Sequence, residues 1–327
     1  MTHTSGSPPP TALLAGSVVR SASGSVPPLV VRDDESVPGT LVSLHAHPDD
    51  ECIATGGVIA RAAAAGHRVV LVVATGGEAG EVADGFLDDG ETLAERRVQE
   101  TEAAAEILGI ARIVWLGYRD SGMVDTDDNH ADGSFWTADV EEAASRVAAI
   151  LNEEDAEVLT IYDEHGNYGH PDHIQVHRVG ARAGELAGTP RVYEATINRD
   201  RVQEFARERY DEMVSSGAEI PEGIEDPDHI TMGLPAAQIT TTVDVSDFVA
   251  VKRTALAAHA SQVDESSFFL AMPEEAFAAM FGTEWFVRRG APTGTVEDSL
   301  FPDEPRPVRR ASPGSDPLAE HAAAKGR

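Results

Sequence analysis

The chain has 327 residues, of which 42% are hydrophobic and 25% charged, values typical of a folded protein with a substantial core. Acidic residues outnumber basic ones 56 to 25, and the net charge of −31 argues against binding to nucleic acids and to anionic membrane surfaces. The longest clear apolar run, residues 69–74, is much shorter than the roughly 18 residues that a membrane-spanning helix needs.

Both ends of the chain lack the pattern of a folded core. Residues 1–37 are rich in Pro, Gly and Ser without sustained periodicity, which predicts a disordered leader. Residues 291–327 contain six prolines and few large apolar side chains, which predicts a disordered tail. The sequence therefore predicts a single domain over residues 38–290.

Strand-like and helix-like segments alternate within this domain. Apolar or β-branched runs predict strands at 41–45, 68–74, 112–116, 157–162 and 191–195. Helical spacing of apolar residues predicts helices at 52–65, 91–108, 138–152, 171–187, 202–213 and 249–260, with the rest of 198–290 irregular. The repeated order predicts an α/β fold, a mostly parallel sheet with helices on both faces.

Two loops rich in metal-ligand residue types each follow a predicted strand. Residues 45–51 read His-Ala-His-Pro-Asp-Asp-Glu, and residues 163–173 read Asp-Glu-His-Gly-Asn-Tyr-Gly-His-Pro-Asp-His. Ligand sites of parallel sheets lie in the loops beyond the carboxyl ends of the strands, so these two loops are expected to meet. No glycine-rich phosphate-binding motif follows a strand, and a nucleotide cofactor is not indicated.

The spacing within these loops favours a metal site. His47 and Asp50 are three residues apart across a turn that Pro48 promotes, and they can converge on one point. Pro171 suits the first position of a helix, so that His173 lies in its first turn and can face the same point. Two imidazoles and one carboxylate with an open position are typical of a catalytic zinc site, where the metal acidifies water and polarises a carbonyl group.

Neighbouring side chains supply acid–base groups. Asp49 is not needed as a ligand and is predicted to take a proton from the attacking water. His170 is predicted to donate to an oxyanion or to the leaving amine. A helix N-terminus lowers the pKa of a nearby histidine, and Asp172 is predicted to counteract this by pairing with the His170 imidazolium. Tyr168, on a glycine-flanked and mobile loop, is predicted to be an oxyanion donor.

The remaining candidates have less specific signals. His45 is expected to pack or to make a supporting hydrogen bond, and His165 and His177 to lie on a loop or helix surface. Cys52, the single cysteine, is expected to be a small buried side chain; it excludes an intramolecular disulfide, and a reducing, cytoplasmic location fits best. For His259, packing and a role beside the substrate remain open.

The two loops together resemble a known family. Residues 46–51 and 170–173 resemble the motifs of the zinc-dependent de-N-acetylases of the PIG-L (LmbE-like) superfamily, over about residues 40–192 and more loosely to 289. Residues 118–123, 162–163 and 167–169 resemble the branch that handles mycothiol. That branch contains a deacetylase of the GlcN-inositol precursor and the mycothiol S-conjugate amidase.

The resemblance implies a Rossmann-like fold and one Zn²⁺ per chain, with Fe²⁺ as the alternative ion. It implies zinc ligands and catalytic groups at the positions already singled out: His47, Asp50 and His173 for the metal, and Asp49, His170, Asp172 and Tyr168 for catalysis. It further implies that Arg97 and Asp120 contact hydroxyl groups of a sugar or inositol.

Marks of the two branches are mixed. Ala54 stands where the deacetylase branch tends to have Ser and the amidase branch Lys. Residues 115–117 lack the longer glycine-rich insertion of the deacetylase, and residues 266–289 look more like the amidase.

The expected activity is removal of an N-acetyl group from a glucosamine-containing glycoside such as a GlcNAc-inositol compound. Cleavage of a glucosaminyl amide in mycothiol conjugates is the alternative within the enzyme class, and a catalytically inactive sugar-binding module is the alternative outside it. The expected partner is a small amino-sugar molecule, without nucleic acid or membrane, and a homo-oligomer is compatible with the sequence.

Overall fold

A computed structural model describes residues 38–216, 229–264 and 266–302 of the chain. The predicted leader, 1–37, and residues 303–327 of the predicted tail lie outside the described residues.

One seven-stranded sheet organises the domain. Its strands are β1 (Thr40–His45), β2 (Arg68–Thr75), β3 (Arg112–Tyr118), β4 (Val158–Tyr162), β5 (Arg191–Thr196), β6 (Thr241–Asp244) and β7 (Thr283–Arg288). They lie in the order β3-β2-β1-β4-β5-β7-β6. The first five are parallel, whereas β7 runs antiparallel to β5 and to β6. The predicted mostly parallel α/β sheet is confirmed.

Helices connect the strands at positions close to those predicted. They are α1 (Asp50–Ala54), α2 (Gly56–Ala64), α3 (Leu93–Leu108), α4 (Val140–Glu153), α5 (Gly166–Gly169), α6 (Pro171–Ala187), α7 (Arg199–Ser216), α8 (Val249–Ala257) and α9 (Glu274–Phe281). The predicted helix 52–65 is divided at Thr55, whose φ of −138° is not helical. Helix α3 starts at a capping box that Thr92 forms with Glu95, which explains its sharp beginning.

The core has two parts, one on each face of the sheet. Leu41 of β1 packs with residues of α2, α3 and α8, while its neighbour Val42 packs with residues of α4 and α6. Successive side chains of a strand point to opposite faces, so this alternation places helices on both sides. Among the described helices, none has the length and apolar character needed to cross a membrane.

Residues 198–290 are more regular than the sequence indicated, because β6, β7 and α9 lie there. The tail boundary at residue 290 is also wrong for residues 291–302. Glu297 exchanges backbone hydrogen bonds with Thr240 and Thr242, and Leu300 and Phe301 are buried. These two apolar side chains join the core beside α2, so the folded part extends at least to residue 302.

Candidate active site

The three predicted metal ligands meet at the carboxyl ends of β1 and β4, which are paired neighbours in the sheet. Oδ2 of Asp50 lies 3.2 Å from Nδ1 of His47 and 3.2 Å from Nε2 of His173. One ligand atom from each of the three buried residues lies within 4.8 Å of the other two. The loop after β1 and the first turn of α6 therefore converge as the spacing predicted.

The donor set fits a divalent metal ion. Two imidazole nitrogens and one carboxylate are common ligands of zinc and of ferrous iron. Burial raises the pKa of Asp50, but His173 and His47 outweigh it and hold that pKa well below its usual range. A negative carboxylate between two imidazoles provides the electrostatic environment that a cation needs.

His47 is oriented by two carboxylates behind it. Its Nε2 lies 3.2 Å from Oδ2 of Asp172 and 3.5 Å from Oδ1 of Asp120. Burial lowers the pKa of His47, yet hydrogen bonds to Asp120, Asp172 and Asp50 raise it well above its usual value. A proton on Nε2 shared with these carboxylates leaves Nδ1 free to face a metal, the arrangement common around metal-binding histidines.

The contacts of Asp172 and Asp120 differ from those expected. The Asp172 carboxylate contacts His47 and Ser121 rather than His170, so the predicted side-chain pair with His170 is not formed. Asp120, expected at sugar hydroxyls, is buried, and its carboxylate accepts hydrogen bonds from the backbone of Ala79 and Gly122. Its contact with a sugar stays a prediction, whereas its contact with His47 is present.

Ser121 is a site residue that the sequence did not reveal. Its backbone N–H donates to Oδ2 of Asp172 at 2.9 Å, and its hydroxyl donates to Oδ1. The same hydroxyl contacts Ser134 and accepts a hydrogen bond from the backbone of Trp136. Residue 121 belongs to the stretch that carried the family resemblance, but nothing in that stretch indicated a partner fifty residues away.

Asp49 lies beside the metal-ligand group with its carboxylate partly accessible. It adopts a positive φ of 86°, rare for a residue with a side chain, which turns the chain from β1 into α1. Nη2 of Arg97 lies 3.2 Å from its Oδ2. Burial raises the pKa of Asp49 to about 7, while Arg97 opposes this shift and Asp50 adds to it. The environment is suited to a group that accepts a proton near neutral pH.

Arg97 supports Asp49 from behind. The guanidinium is buried and donates to the backbone carbonyls of Pro48 and Gly77 as well as to Asp49. These contacts fix the turn that carries Asp49. The contact of Arg97 with sugar or inositol hydroxyls stays a prediction.

His170 precedes α6 and borders the same centre. Its Nδ1 accepts a hydrogen bond of 3.1 Å from the backbone N–H of Asp172, so the neutral ring carries its proton on Nε2. Burial lowers the pKa of His170 to about 4, with further lowering by His47 and His173. Asp172 thus orients His170 through its backbone rather than through its carboxylate.

Tyr168 approaches the centre from an unusual turn. Its hydroxyl lies 3.5 Å from Nε2 of His173, and the side chain is otherwise half exposed. The preceding residue, Asn167, has a positive φ of 62°, and Asp163 holds the turn by accepting the backbone N–H groups of His165 and Asn167. The phenol therefore borders the metal-ligand group, and its role as an oxyanion donor stays a prediction.

The other histidines and the cysteine lie away from the metal-ligand group. His45 is fully buried and bonds to Tyr162, as expected of a packed strand residue. His165 is exposed, and His177 contacts the backbone oxygen of Tyr162. Cys52 is fully buried, as predicted. His259, left open by the sequence, is buried against Glu51.

Comparisons with known proteins agree with this geometry. The sequence profile of the PIG-L family, described as GlcNAc-PI de-N-acetylase, matches residues 42–184. A 1D-myo-inositol 2-acetamido-2-deoxy-alpha-D-glucopyranoside deacetylase of Streptomyces avermitilis is 40% identical over 285 residues, which cover 80% of this chain and 96% of the relative. The chain belongs to the PIG-L family.

Further PIG-L relatives carry the same name. The protein so named in Nocardiopsis dassonvillei is 39% identical over 282 residues, which cover 79% of this chain and 98% of the relative. The crystal structure of the A40926 pseudoaglycone deacetylase Dbv21 superposes on this chain with a TM-score of 0.50, over 77% of this chain and 98% of Dbv21. The two sequences are 16% identical, so the match supports a shared fold. The metal-ligand group and its acid–base neighbours all lie within the PIG-L segment.

Proposed function

We propose that the protein is a zinc-dependent deacetylase that removes the acetyl group from a GlcNAc-inositol glycoside. The observation that carries this proposal is the convergence of His47, Asp50 and His173, with Asp49 beside them and outside the metal-ligand group. The names of the PIG-L relatives support the substrate class, since they cover most of this chain.

His47, Asp50 and His173 are the residues that would hold one zinc ion per chain, and ferrous iron suits the same donors. When bound, such an ion supplies Lewis-acid polarisation of the acetamide carbonyl and acidifies water at neutral pH.

The chain itself supplies proton transfer. Asp49 takes a proton from the water that attacks the acetamide carbon, and Arg97 keeps its carboxylate directed into the site. As the carbon–nitrogen bond breaks, the amine needs a proton, which Asp49 can return because it has just received one. One carboxylate therefore serves both steps.

His170 and Tyr168 stabilise the negative charge that develops on the carbonyl oxygen. The neutral His170 ring presents an N–H at Nε2, because Nδ1 already accepts the backbone N–H of Asp172. The Tyr168 hydroxyl lies within 3.5 Å of the ligand His173. Because the backbone of Asp172 holds the His170 ring, this donor can stabilise a developing oxyanion without reorganisation.

The alternatives from the sequence differ from this proposal in their products. A conjugate amidase would release an amino-acyl conjugate, and a sugar-binding module would release nothing. A binding module needs neither a proton acceptor such as Asp49 nor an oxyanion donor such as His170 beside the metal-ligand group. The names of the relatives favour deacetylation. Cytoplasmic location, homo-oligomer formation and the lack of nucleic-acid or membrane partners stay predictions.

The test measures acetate release from a GlcNAc-inositol substrate and amino-acyl release from a mycothiol conjugate, together with metal content by elemental analysis. Asp49→Asn is expected to keep its zinc while kcat falls by about 10²–10⁴, the range for loss of an acid–base group. His47→Ala is expected to lose the metal itself after dialysis. Cleavage of the conjugate without acetate release, full turnover by Asp49→Asn, or sugar binding without hydrolysis would each contradict the proposal.

A further inference from the structure

A buried ion pair lies directly behind the turn that carries Asp49. Nε2 of His259 is 2.7 Å from Oε1 of Glu51, and both side chains are fully buried. Glu51 is in the first turn of α1, next to Asp50 and two residues after Asp49. His259 follows α8 and lies 75 residues beyond the end of the PIG-L segment, at 184.

The residues after His259 contact α3, the helix that carries Arg97. We call residues 259–262 the polar turn; Gln262 N–H donates to the carbonyl of His259. Ser261 donates to Glu100 through its backbone N–H at 2.8 Å and its hydroxyl at 2.7 Å. Glu100 lies on α3, one turn after Arg97, which holds Asp49. The polar turn therefore contacts both helices that flank Asp49.

Glu51 has few other partners. Its Oε1 also accepts a weak hydrogen bond from the Cys52 thiol at 3.3 Å, and its Oε2 has no hydrogen-bond partner within the described part of the chain. A buried carboxylate that loses its cationic partner strongly destabilises the structure around it. Without His259, only the weak contact with the Cys52 thiol would remain for this buried carboxylate among the described residues, which would destabilise the first turn of α1.

Asp49 is sensitive to any loosening of this turn. Its φ of 86° is a conformation that persists only where the surroundings impose it. Arg97 constrains the turn before Asp49, whereas Glu51 and His259 constrain the turn after it.

We propose that His259 is a positioning residue of the active site, which acts through Glu51 to fix the first turn of α1 and so the direction of the Asp49 carboxylate. This inference rests on the proposed function only for the role of Asp49. It assigns to the region beyond the PIG-L segment a part in catalysis rather than in packing alone.

A second metal site is the competing interpretation of the same residues. Glu51, Cys52 and His259 also bring one ligand atom each within 4.8 Å of one another. The direct contact of 2.7 Å between His259 and Glu51 is the length of a charge-assisted hydrogen bond, with a proton between the two atoms. Metal stoichiometry separates the two interpretations.

The experiment compares His259→Leu with His259→Gln in the full, zinc-loaded chain. His259→Leu is expected to lower kcat at least tenfold with KM within twofold, and His259→Gln to recover most of kcat because its amide can still donate to Glu51. Amide hydrogen exchange over residues 50–54 is expected to quicken in the leucine variant alone. Zinc content is expected to stay at one ion per chain in the parent and in both variants.

The matched control is Arg253→Leu, on α8, the helix that precedes His259. The Arg253 guanidinium donates to the backbone carbonyls of Leu270 and Met272. This variant removes a partly buried contact of α8 without touching Glu51, and kcat should be unchanged. Equal losses of kcat in the two leucine variants, or two zinc ions in the parent chain, would overturn the proposal. Unchanged exchange over residues 50–54 in His259→Leu would overturn it too, even if the parent deacetylated nothing.

Discussion

His173 differs from His47 in how its ring is held. Metal-binding histidines usually donate their second N–H to a carboxylate or carbonyl, as His47 does, but Nδ1 of His173 has no hydrogen-bond partner among the described residues. Its ring instead lies on Tyr162, with centroids 4.2 Å apart and planes 11° apart. Tyr168 packs edge-on at 4.9 Å. Tyr162 therefore orients this predicted ligand, and the Tyr162 hydroxyl is fixed by His45.

This arrangement predicts that the aromatic face of Tyr162 matters more for metal binding than its hydroxyl. Tyr162→Leu is expected to weaken zinc affinity about 10- to 100-fold, the usual cost of losing a supporting contact of a metal ligand. Tyr162→Phe keeps the face and should bind zinc nearly as the parent does. It should lose about 1–3 kcal/mol of unfolding free energy, because Nδ1 of His45 loses its partner. Chelator competition and chemical denaturation measure the two effects, and equal losses of zinc affinity would contradict the prediction.

The convergence of the three predicted metal ligands could be foreseen from the sequence, and the residues that support them could not. His47 and Asp50 are three residues apart, and Pro171 fixes where α6 begins, so local rules place all three ligands. Ser121, Tyr162 and His259 act through contacts with residues 11 to 208 positions away. Such pairs leave no local pattern.

At the level of elements, helix α2 is capped by a residue from a distant strand. Its own N-cap, Thr55, makes no side-chain capping bond. The carboxylate of Glu284, in β7, accepts the backbone N–H groups of Gly57 and Val58 at 2.8 and 2.9 Å. Nζ of Lys252, in α8, lies 2.7 Å from the same carboxylate, and both side chains are buried. One ion pair thus joins the helix after the active-site loop to the late part of the chain.

Removing the lysine should leave a buried carboxylate without its cation. Lys252→Met is expected to lower the unfolding free energy by about 3 kcal/mol, near the lower end for a broken buried pair because two N–H groups still bind Glu284. Adding Glu284→Gln should recover part of this loss, since the neutral amide oxygen can still accept a hydrogen bond. Urea denaturation of the single and double variants tests the coupling, and additive losses would contradict it.

The difference between local and long-range contacts also explains which strands could be predicted from the sequence. Strands β1 to β5 are apolar runs separated by helices, so each is visible in a short window. Strands β6 and β7 have alternating burial. They are strands because β7 pairs with both β5 and β6, and the paired residues are about forty or more positions apart in the sequence. Residues 291–302 lack a local pattern for the same reason, since Phe301 is buried against α2 and against His67, which follows α2.

For the whole molecule, the net charge of −31 is the dominant electrostatic feature. Several arginines are engaged in exposed ion pairs, such as Arg182 with Glu141 and Arg201 with Glu204, and such pairs contribute about 0–1 kcal/mol each. The excess of acidic groups is larger than these pairs can balance. Repulsion among them destabilises the compact state and is screened by salt, because the Debye length falls from about 30 Å at 0.01 M to about 10 Å at 0.1 M.

Salt should therefore stabilise this protein rather than weaken it. The melting temperature of the zinc-loaded chain is expected to rise by about 3–6 °C between about 0.02 M and 0.5 M NaCl, equivalent to about 1–2 kcal/mol. Glu102 and Glu106, exposed on one face of α3, are a like-charged pair that weakens the helix. Glu102→Gln with Glu106→Gln should raise the melting temperature at low salt and reduce its rise with salt, as calorimetry can measure. A melting temperature that falls with salt would mean that the surface ion pairs outweigh the repulsion.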